Sequence, residues 1–355
     1  MSGARYISLE LDGHRNIYLS GLAKENEMPR KLRTEIVLPE KGADENTGVL
    51  ILISAYGGNI DSHVFKKMRE EFSDLYNMAV VQCDYWGSKY MGGELLTELQ
   101  VLWEFPYKLS GTLRYFRDTG ESETEFNDMG IMQSLDIVNA TLSAIYDLRR
   151  RQIPVNTQKI ILFGPSHGAY LGYCANLICP GLYKALIDIS GYLKPHYLEN
   201  KRCTWNRRGE LYIEVFFEYF LARHPEYRYH EDLYDLHFLY KYRENTCKVI
   251  AFQGKEDWMV DWREKETFIH SLNNAEFLLI GADEVDGILC GSADHGLEMD
   301  FFELFKMIMP MLDPILRGGG NSIELQKEVV LGDEHAFMRI SYESGLPRLE
   351  EITFE

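Results

Sequence analysis

The sequence predicts an α/β fold, in which a mostly parallel central sheet carries helices on both faces and a helical cap is inserted between two strands. Short apolar runs, such as residues 49–53, alternate along the chain with longer amphipathic segments, such as residues 132–151. A continuous apolar run is typical of a strand buried on both faces, and strands that alternate with helices form parallel sheets. The chain has 355 residues, of which 45% are hydrophobic, so it can bury a core of this size.

The same patterns predict the elements in order. Residues 5–39 alternate in polarity as strands do, and Asp12-Gly13 is a hairpin turn signal between a first strand and another at residues 17–19, followed by a strand at residues 32–38. The predicted core strands are residues 49–53, 79–83, 160–163, 185–189, 248–252 and 276–280. The predicted core helices are residues 61–76, 132–151, 262–272 and 297–311.

The alternation divides the chain into four parts. Residues 1–44 are predicted to form N-terminal β-strands, and residues 45–191 together with 247–312 form the α/β core. Residues 192–246 interrupt the alternation, and we interpret them as the helical cap. Residues 313–355 contain three consecutive glycines and then a β-like extension; the sequence leaves open whether this extension pairs with the N-terminal strands or with another subunit.

The most informative motif is Gly164-Pro165-Ser166-His167-Gly168, which directly follows a predicted strand and opens a helix rich in small residues. This is the G-x-S-x-G pattern of a nucleophile elbow in the strand–turn–helix context that the motif requires. The sharp turn exposes a serine hydroxyl, which must be activated by a base because it is otherwise a weak nucleophile. Ser166 is therefore the candidate nucleophile.

A serine nucleophile needs a base and an acid that orients the base. His295 lies in a loop between the last core strand and the terminal helix, so we predict it as the general base; His270 and His335 are the other histidines far enough along the chain. Asp257 follows an apolar strand directly and is the predicted acid. The remaining acidic candidates are Glu256, Asp261 and Asp283.

The predicted oxyanion-binding groups are backbone N–H groups. One belongs to His167, the residue after the nucleophile, and the second comes from the loop after strand 49–53, where Tyr56 and Gly57 are both candidates. The side chain of His167 is predicted to be a packing or rim group rather than a second base.

Over roughly residues 45–312, the chain resembles the α/β-hydrolase superfamily, and serine esterases and peptidases in particular. The resemblance rests on four features that occur in this order: Tyr56-Gly57-Gly58, the Ser166 motif, Asp257 and His295. The segment from the elbow through residues 188–192 also resembles a hydrolase-like bacterial family of unknown function. The resemblance implies a sheet of the eight-stranded type, a Ser-His-Asp triad, and acyl-transfer chemistry without a metal or an organic cofactor. The loop after strand 49–53, called the donor loop below, reads Tyr-Gly-Gly-Asn at residues 56–59, whereas many lipases have His-Gly-Gly-Gly there.

Composition excludes several other functions. The formal net charge of −18 disfavours nucleic acid and anionic membranes as partners. The six cysteines form no C-x-x-C pair, and neither H-E-x-x-H nor a nucleotide-binding glycine motif is present, so we predict no metal and no cofactor. We expect buried free thiols, no signal peptide, no membrane span and a cytoplasmic location.

These observations predict a serine hydrolase that cleaves an ester, or a related acyl bond, of a small molecule. The alternatives are an acyltransferase or deacetylase acting on a sugar or alcohol, and a binding scaffold that has the hydrolase fold without turnover. The aromatic residues of the cap are expected to form its own core or a pocket for a sugar ester or small acyl ester. Arg202, Arg207 and Arg208 either meet a substrate carboxylate or phosphate or are solvated at the surface. The oligomeric state is left open.

Overall fold

The structure is a computed structural model that describes residues 5–18, 30–92, 111–208, 210–228, 230–316 and 318–354. Its strands are β1 (Tyr6–Asp12), β2 (Lys31–Val37), β3 (Gly48–Leu52), β4 (Met78–Cys83), β5 (Gly111–Asp118), β6 (Ile160–Pro165), β7 (Ala185–Ile189), β8 (Arg202–Arg208), β9 (Leu211–Glu218), β10 (Lys248–Gly254), β11 (Ala275–Ile280), β12 (Glu328–Gly332), β13 (Ala336–Ser341) and β14 (Arg348–Phe354). Its α-helices are α1 (His63–Tyr76), α2 (Ile131–Arg150), α3 (His167–Ile178), α4 (His196–Glu199), α5 (Phe220–Arg223), α6 (Leu236–Lys241), α7 (Trp262–Ser271) and α8 (Phe301–Leu312). Among the helices of these ranges, none combines the length and the apolar character needed to cross a bilayer.

The central sheet has eight strands in the order β1-β2-β4-β3-β6-β7-β10-β11. The pairs β1–β2 and β2–β4 are antiparallel, and every pair from β4 to β11 is parallel. Parallel neighbours require crossover connections, which place helices on the faces of the sheet. This arrangement is an α/β-hydrolase fold, and the predicted fold class is confirmed.

The uniformly apolar strands follow from burial on both faces. Successive side chains of a strand point to opposite faces of the sheet. In β3, Val49 and Ile51 belong to the core shared with α2, α3 and α7, whereas Leu50 and Leu52 belong to the core shared with α1 and α8. A polar residue at any of these positions would be buried without water, which explains why the run is continuous rather than alternating.

The N-terminal hairpin prediction is wrong in its partner strand. β1 pairs with β2 and not with residues 17 and 18 of the predicted partner segment, whose residue 19 lies outside the described residues. The N–H of Gly13 donates to the carbonyl of Arg30 at 2.9 Å, so the predicted turn residue extends the β1–β2 ladder. β2 also pairs with β4 and thereby buries Leu32 and Ile36, a gain that the short segment at 17–19 does not offer.

The prediction of a helical insertion over residues 192–246 is wrong for the strands β8 and β9, which lie between residues 202 and 218. β8 and β9 form a hairpin there, and β9 pairs with β5 in a separate three-stranded sheet; none of these three strands is among the predicted ones. The segment Leu211–Glu218 is rich in aromatic and β-branched residues, which favour a pleated strand. Helices occupy only the remainder of the insertion.

The C-terminal extension forms its own antiparallel sheet in the order β12-β13-β14. Its apolar residues join the core next to α3, and the hydroxyl of Tyr342 donates to the carbonyl of Ile178 at 2.7 Å. Within the described ranges, β1 and β2 pair in the central sheet and not with this extension. The extension is therefore packed against the end of the helix that follows the nucleophile elbow.

Candidate active site

Ser166 lies between β6 and α3 in a strained conformation. Its backbone has φ 55° and ψ −121°, a combination that L-residues rarely adopt. β6 ends at Pro165 and α3 begins at His167, so Ser166 belongs to the turn between them and not to the strand. This local geometry is the one that the motif predicts.

The two glycines of the motif are required by close approaches of the backbone. A Cβ atom on Gly164 would lie 2.3 Å from the carbonyl carbon of Gly168. A Cβ atom on Gly168 would lie 2.5 Å from the carbonyl oxygen of Ile53, at the end of β3. Any larger residue would push the helix away from the strands, so the spacing of the motif follows from the contact of the turn with its own helix and with the neighbouring strand.

The structure brings the three residues predicted as nucleophile, base and acid into one hydrogen-bonded chain. Nε2 of His295 lies 2.8 Å from Oγ of Ser166, and Nδ1 of His295 lies 2.9 Å from Oδ2 of Asp257. The side chain of Asp257 is fully buried, whereas that of His295 is 16% exposed. The imidazole thus lies between a buried carboxyl group and the hydroxyl of Ser166, a residue that is 8% exposed.

The surroundings of Asp257 keep it ionised. Burial by itself raises the pKa of this carboxyl group, but the hydrogen bond and charge of His295, the N–H of Met259 and the amide of Gln253 outweigh burial and lower the pKa below its ordinary value. Gln253 Nε2 donates to Oδ2 at 2.7 Å, and the N–H groups of Met259 and Val260 donate to Oδ1. An ionised Asp257 can only accept, so Nδ1 of His295 carries the proton and Nε2 is free to accept one from Ser166.

The loop that carries His295 is held by contacts that sequence reasoning missed. The N–H of Gly296 donates to Oγ of Ser190, after β7, at 3.1 Å. The ring of Tyr192 stacks on the imidazole of His295, with centroids 5.6 Å apart and an interplanar angle of 18°. The resemblance included residues 188–192 without assigning them a role, because nothing local in that segment shows that a loop from beyond β11 packs against it.

A buried ion pair holds the turn after β7, which bears Ser190 and Tyr192. Nζ of Lys265, in α7, lies 2.5 Å from Oδ2 of Asp188, and both side chains are fully buried. Lys265 also donates to the carbonyl of Gly191, and the N–H of Gly191 donates to Oδ1 of Asp188. Burial lowers the pKa of Lys265 and Asp188 opposes that shift. The pair therefore ties α7 to the turn that bears Ser190 and Tyr192.

Replacing Lys265 with methionine is expected to reduce the free energy of unfolding by about 3–5 kcal/mol, because Asp188 would remain buried with an uncompensated charge. The measurement is urea unfolding at neutral pH. Adding Asp188→Asn to the same chain should restore part of the loss, since it removes that charge. Lys306→Met is the matched control: its ion pair with Glu303 is exposed, and no measurable change is expected. A Lys265→Met protein as stable as the wild type would contradict the prediction.

The side chain of His167 is a packing group. It is buried, its Nε2 lies 2.7 Å from Oε1 of Gln133, and burial lowers its pKa to about 3, so it is neutral at physiological pH. Its ring packs against those of Tyr56 and Tyr170. The backbone N–H of His167 opens α3 and, like the other N–H groups of a first helical turn, has no acceptor within its helix.

The predicted donor loop lies beside the elbow. Gly168 approaches the carbonyl oxygens of Ile53 and Ser54, at the end of β3, and the loop with Tyr56 and Gly57 begins there. Gly57 has φ +85°, which favours glycine. Within the described part of the chain, no hydrogen bond uses the backbone N–H of Tyr56, Gly57 or His167. The roles of these three groups as oxyanion donors remain predictions.

The alternative candidates lie elsewhere. Asp261 caps the N-terminus of α7, and His270 lies near the other end of that helix with its ring against Phe277. His335 is exposed beside Glu334 in the C-terminal extension. Of the three cap arginines, the side chains of Arg207 and Arg208 lie outside the described residues, whereas Arg202 contacts the donor loop.

Comparisons with known proteins place the chain in a family. Residues 105–341, more than half of the chain, match the family described as a protein of unknown function (DUF2920). A comparison with curated protein sequences found no match.

Among solved structures, the chain resembles Est1E from Butyrivibrio proteoclasticus with ferulic acid bound (14% identity, 81% of this chain and 96% of that chain covered, TM-score 0.46). It also resembles a thermophilic esterase, Est2, from Thermogutta terrifontis (17% identity, 81% and 88% covered, TM-score 0.45). A third similar structure is an alpha-beta serine hydrolase homologue from Coxiella burnetii (11% identity, 81% and 91% covered, TM-score 0.37). From the extent of the sequence match, the chain belongs to the DUF2920 family of proteins of unknown function.

Proposed function

We propose that the protein is a serine hydrolase that cleaves an ester bond of a small molecule through an acyl-enzyme. The observation that carries the proposal is the continuous chain of hydrogen bonds from Asp257 through His295 to Ser166, which ends on a hydroxyl held in a strained elbow. Strain at a single residue persists only where the surrounding structure enforces it, and it is common at functional sites. The combination matches the requirements of an activated serine nucleophile.

In the first step, Oγ of Ser166 attacks the ester carbon while its proton passes to Nε2 of His295. The resulting imidazolium is stabilised by the ionised Asp257 at Nδ1. The carbonyl oxygen becomes an oxyanion, for which the free N–H of His167 and those of Tyr56 and Gly57 are the candidate donors. His295 then returns its proton to the leaving alkoxide, which departs as the alcohol and leaves Ser166 acylated.

In the second step, His295 accepts a proton from water, and the hydroxide so formed attacks the acyl-enzyme. The acid is released when His295 gives the proton back to Oγ of Ser166, which restores the resting state. Each step uses only groups of this chain, water and the substrate. An alcohol or sugar hydroxyl that takes the place of water would give acyl transfer by the same residues, so product analysis with an added acceptor distinguishes the two reactions.

Reaction with a fluorophosphonate probe tests the proposal directly. We expect Oγ of Ser166 in the folded protein to form a bond to phosphorus with loss of fluoride, which peptide mass spectrometry would locate, and we expect heat-unfolded protein not to react. A Ser344→Ala variant, which changes an exposed serine of the C-terminal extension, should label like the wild type. Folded protein that stays unlabelled would refute the hydrolase and favour a binding scaffold. A series of acetyl, butyryl and longer chromogenic esters would then define the acyl length.

A further inference from the structure

Arg202, the first residue of β8, is a cation without an acidic partner among the described residues. Its Nη1 donates to the carbonyl of Met91 at 2.5 Å and to the hydroxyl of Tyr219 at 3.3 Å. The chain contains 55 acidic and 37 basic residues, yet among those the structure describes no Asp or Glu forms an ion pair with Arg202. Arg202 is therefore a partly buried guanidinium that binds only neutral oxygens of the described residues.

Aromatic rings surround the guanidinium. Its central carbon lies 5.1 Å from the ring centroid of Tyr56, 4.7 Å from that of Phe217 and 6.0 Å from that of Tyr197. Rings at these distances attract the cation and fix the plane of the guanidinium while they exclude water from its faces. The group is thereby preorganised to bind through its edge.

One edge of the guanidinium is unused. Nε and Nη2 make no hydrogen bond with the described residues, and neither belongs to the fully buried polar atoms that lack a partner, so both keep some exposed surface among those residues. The N–H groups of Nε and Nη2 point the same way and form a fork whose spacing matches the two oxygens of a carboxylate.

The unused edge is next to the candidate active site. Nη2 of Arg202 lies 3.2 Å from the position that a Cβ atom on Gly57 would take, so it borders the donor loop. The ring of Tyr56, in the same loop, contacts the guanidinium on one side and the ring of His167, the neighbour of Ser166, on another. Arg202 is therefore connected through the ring of Tyr56 to His167, the residue that follows Ser166.

A series of rings also connects Arg202 with the base. Tyr56 packs against Tyr197 at 4.6 Å between centroids, Tyr197 against His196 at 5.1 Å, and His196 against Tyr192 at 5.8 Å. Tyr192 stacks on His295. This aromatic wall, formed by Tyr56, Tyr197, His196 and Tyr192, has the cation at one end and the triad at the other. A substrate that lies along it would need a reactive ester at one end and a negative charge at the other.

We propose that Arg202 binds a carboxylate of the substrate, and that the protein therefore acts on esters of small, carboxylate-bearing molecules. The inference rests on the proposed hydrolase function, which it deepens by naming a substrate class. A bidentate, charge-assisted pair in a site partly shielded from water would both orient the ester over Ser166 and discriminate against neutral analogues.

The test compares esters that differ only in a carboxylate. Mono-(p-nitrophenyl) glutarate and p-nitrophenyl valerate place the difference on the acyl side, whereas 4-acetoxybenzoate and phenyl acetate place it on the alcohol side. For the wild type we expect kcat/KM to be about 10- to 100-fold higher for the carboxylate-bearing member of at least one pair. Arg202→Gln should abolish this preference while it leaves the neutral esters nearly unchanged.

Two variants serve as controls. Arg202→Lys keeps the charge without the fork, and should retain a reduced preference. Arg263→Gln removes an exposed arginine that lies over Trp262 in α7, and should keep the preference of the wild type. A structural role of Arg202 in holding Met91 and Tyr219 would instead slow neutral and charged esters equally in Arg202→Gln.

Three results would overturn the proposal: equal loss on neutral and charged esters, no preference of the wild type in either pair, or inhibition of neutral-ester hydrolysis by inorganic phosphate but not by glutarate. A measurement without turnover separates this proposal from the hydrolase itself. Glutarate or benzoate should raise the midpoint of thermal unfolding of the wild type and of Arg263→Gln, but not that of Arg202→Gln. Equal shifts in all three proteins would refute the carboxylate site even if no ester were cleaved.

Discussion

Replacing Ser166 with alanine is expected to lower kcat for ester hydrolysis by about 10⁴- to 10⁶-fold, because no other group in the hydrogen-bonded chain can form the acyl-enzyme. Alanine, like serine, has a Cβ atom, so the elbow at φ 55° is no more strained than before and the fold should be retained. The measurement is steady-state turnover of a chromogenic ester, with thermal unfolding to show that the variant is folded.

Ser344→Ala is again the matched control and should keep full activity, since this serine is exposed in the C-terminal extension. A small residual rate is expected in Ser166→Ala, because binding and oxyanion donors still favour attack by water. If Ser166→Ala retained more than about a tenth of wild-type kcat in pure, folded protein, a different residue would have to be the nucleophile and the proposed function would fail.

Replacing Asp257 with asparagine is expected to lower kcat by about 10⁴-fold by changing the tautomer of His295. The N–H groups of Met259 and Val260 both donate to Oδ1, so the amide oxygen of the substituted side chain would occupy that position. The amide nitrogen would then take the place of Oδ2 and donate to Nδ1 of His295. Nε2 would carry the proton and could no longer accept one from Ser166.

The structure offers a close control for this substitution. Asp261, four residues along the chain, caps the N-terminus of α7, and Asn is about as good a cap as Asp. Asp261→Asn should therefore remain active and stable. Turnover and the rate of fluorophosphonate labelling should both fall in Asp257→Asn, whereas both should stay at the wild-type level in Asp261→Asn. Activity of Asp257→Asn within about tenfold of the wild type would mean that another group orients His295.

Much of the fold was predictable because its patterns are local. The run at residues 49–53 is apolar throughout, and the structure shows β3 buried on both faces with its side chains divided between two cores. The prediction for the insertion is wrong at residues 211–218, whose aromatic and β-branched side chains favour a strand. The partner that completes this strand is β5, which lies about a hundred residues earlier in the chain and cannot be found from local patterns.

The candidate active site was likewise predictable where its contacts are local in sequence, and not where they join distant segments. The spacing of Gly164, Ser166 and Gly168 predicts the elbow, because the close approaches that require glycine arise within the turn and its nearest strand. His295 and Asp257 are predicted from their order and their positions after strands. Their contact with each other, and with a serine that is 129 residues from His295, depends on how β6, β10 and β11 are arranged in the sheet.

The sequence by itself determined the fold class and the strained turn, because both follow from interactions between near neighbours in the chain. It also contains the residue types that catalysis needs. Only the tertiary structure decided that Tyr192 and Ser190 contact the loop of His295, and that Lys265 and Asp188 are paired next to them. It also decided that the edge of Arg202 without a hydrogen bond to the described residues borders the donor loop. These arrangements join segments far apart in sequence. Their energies come from burial, packing and charge compensation, which exist only once the sheet and its helices have closed around them.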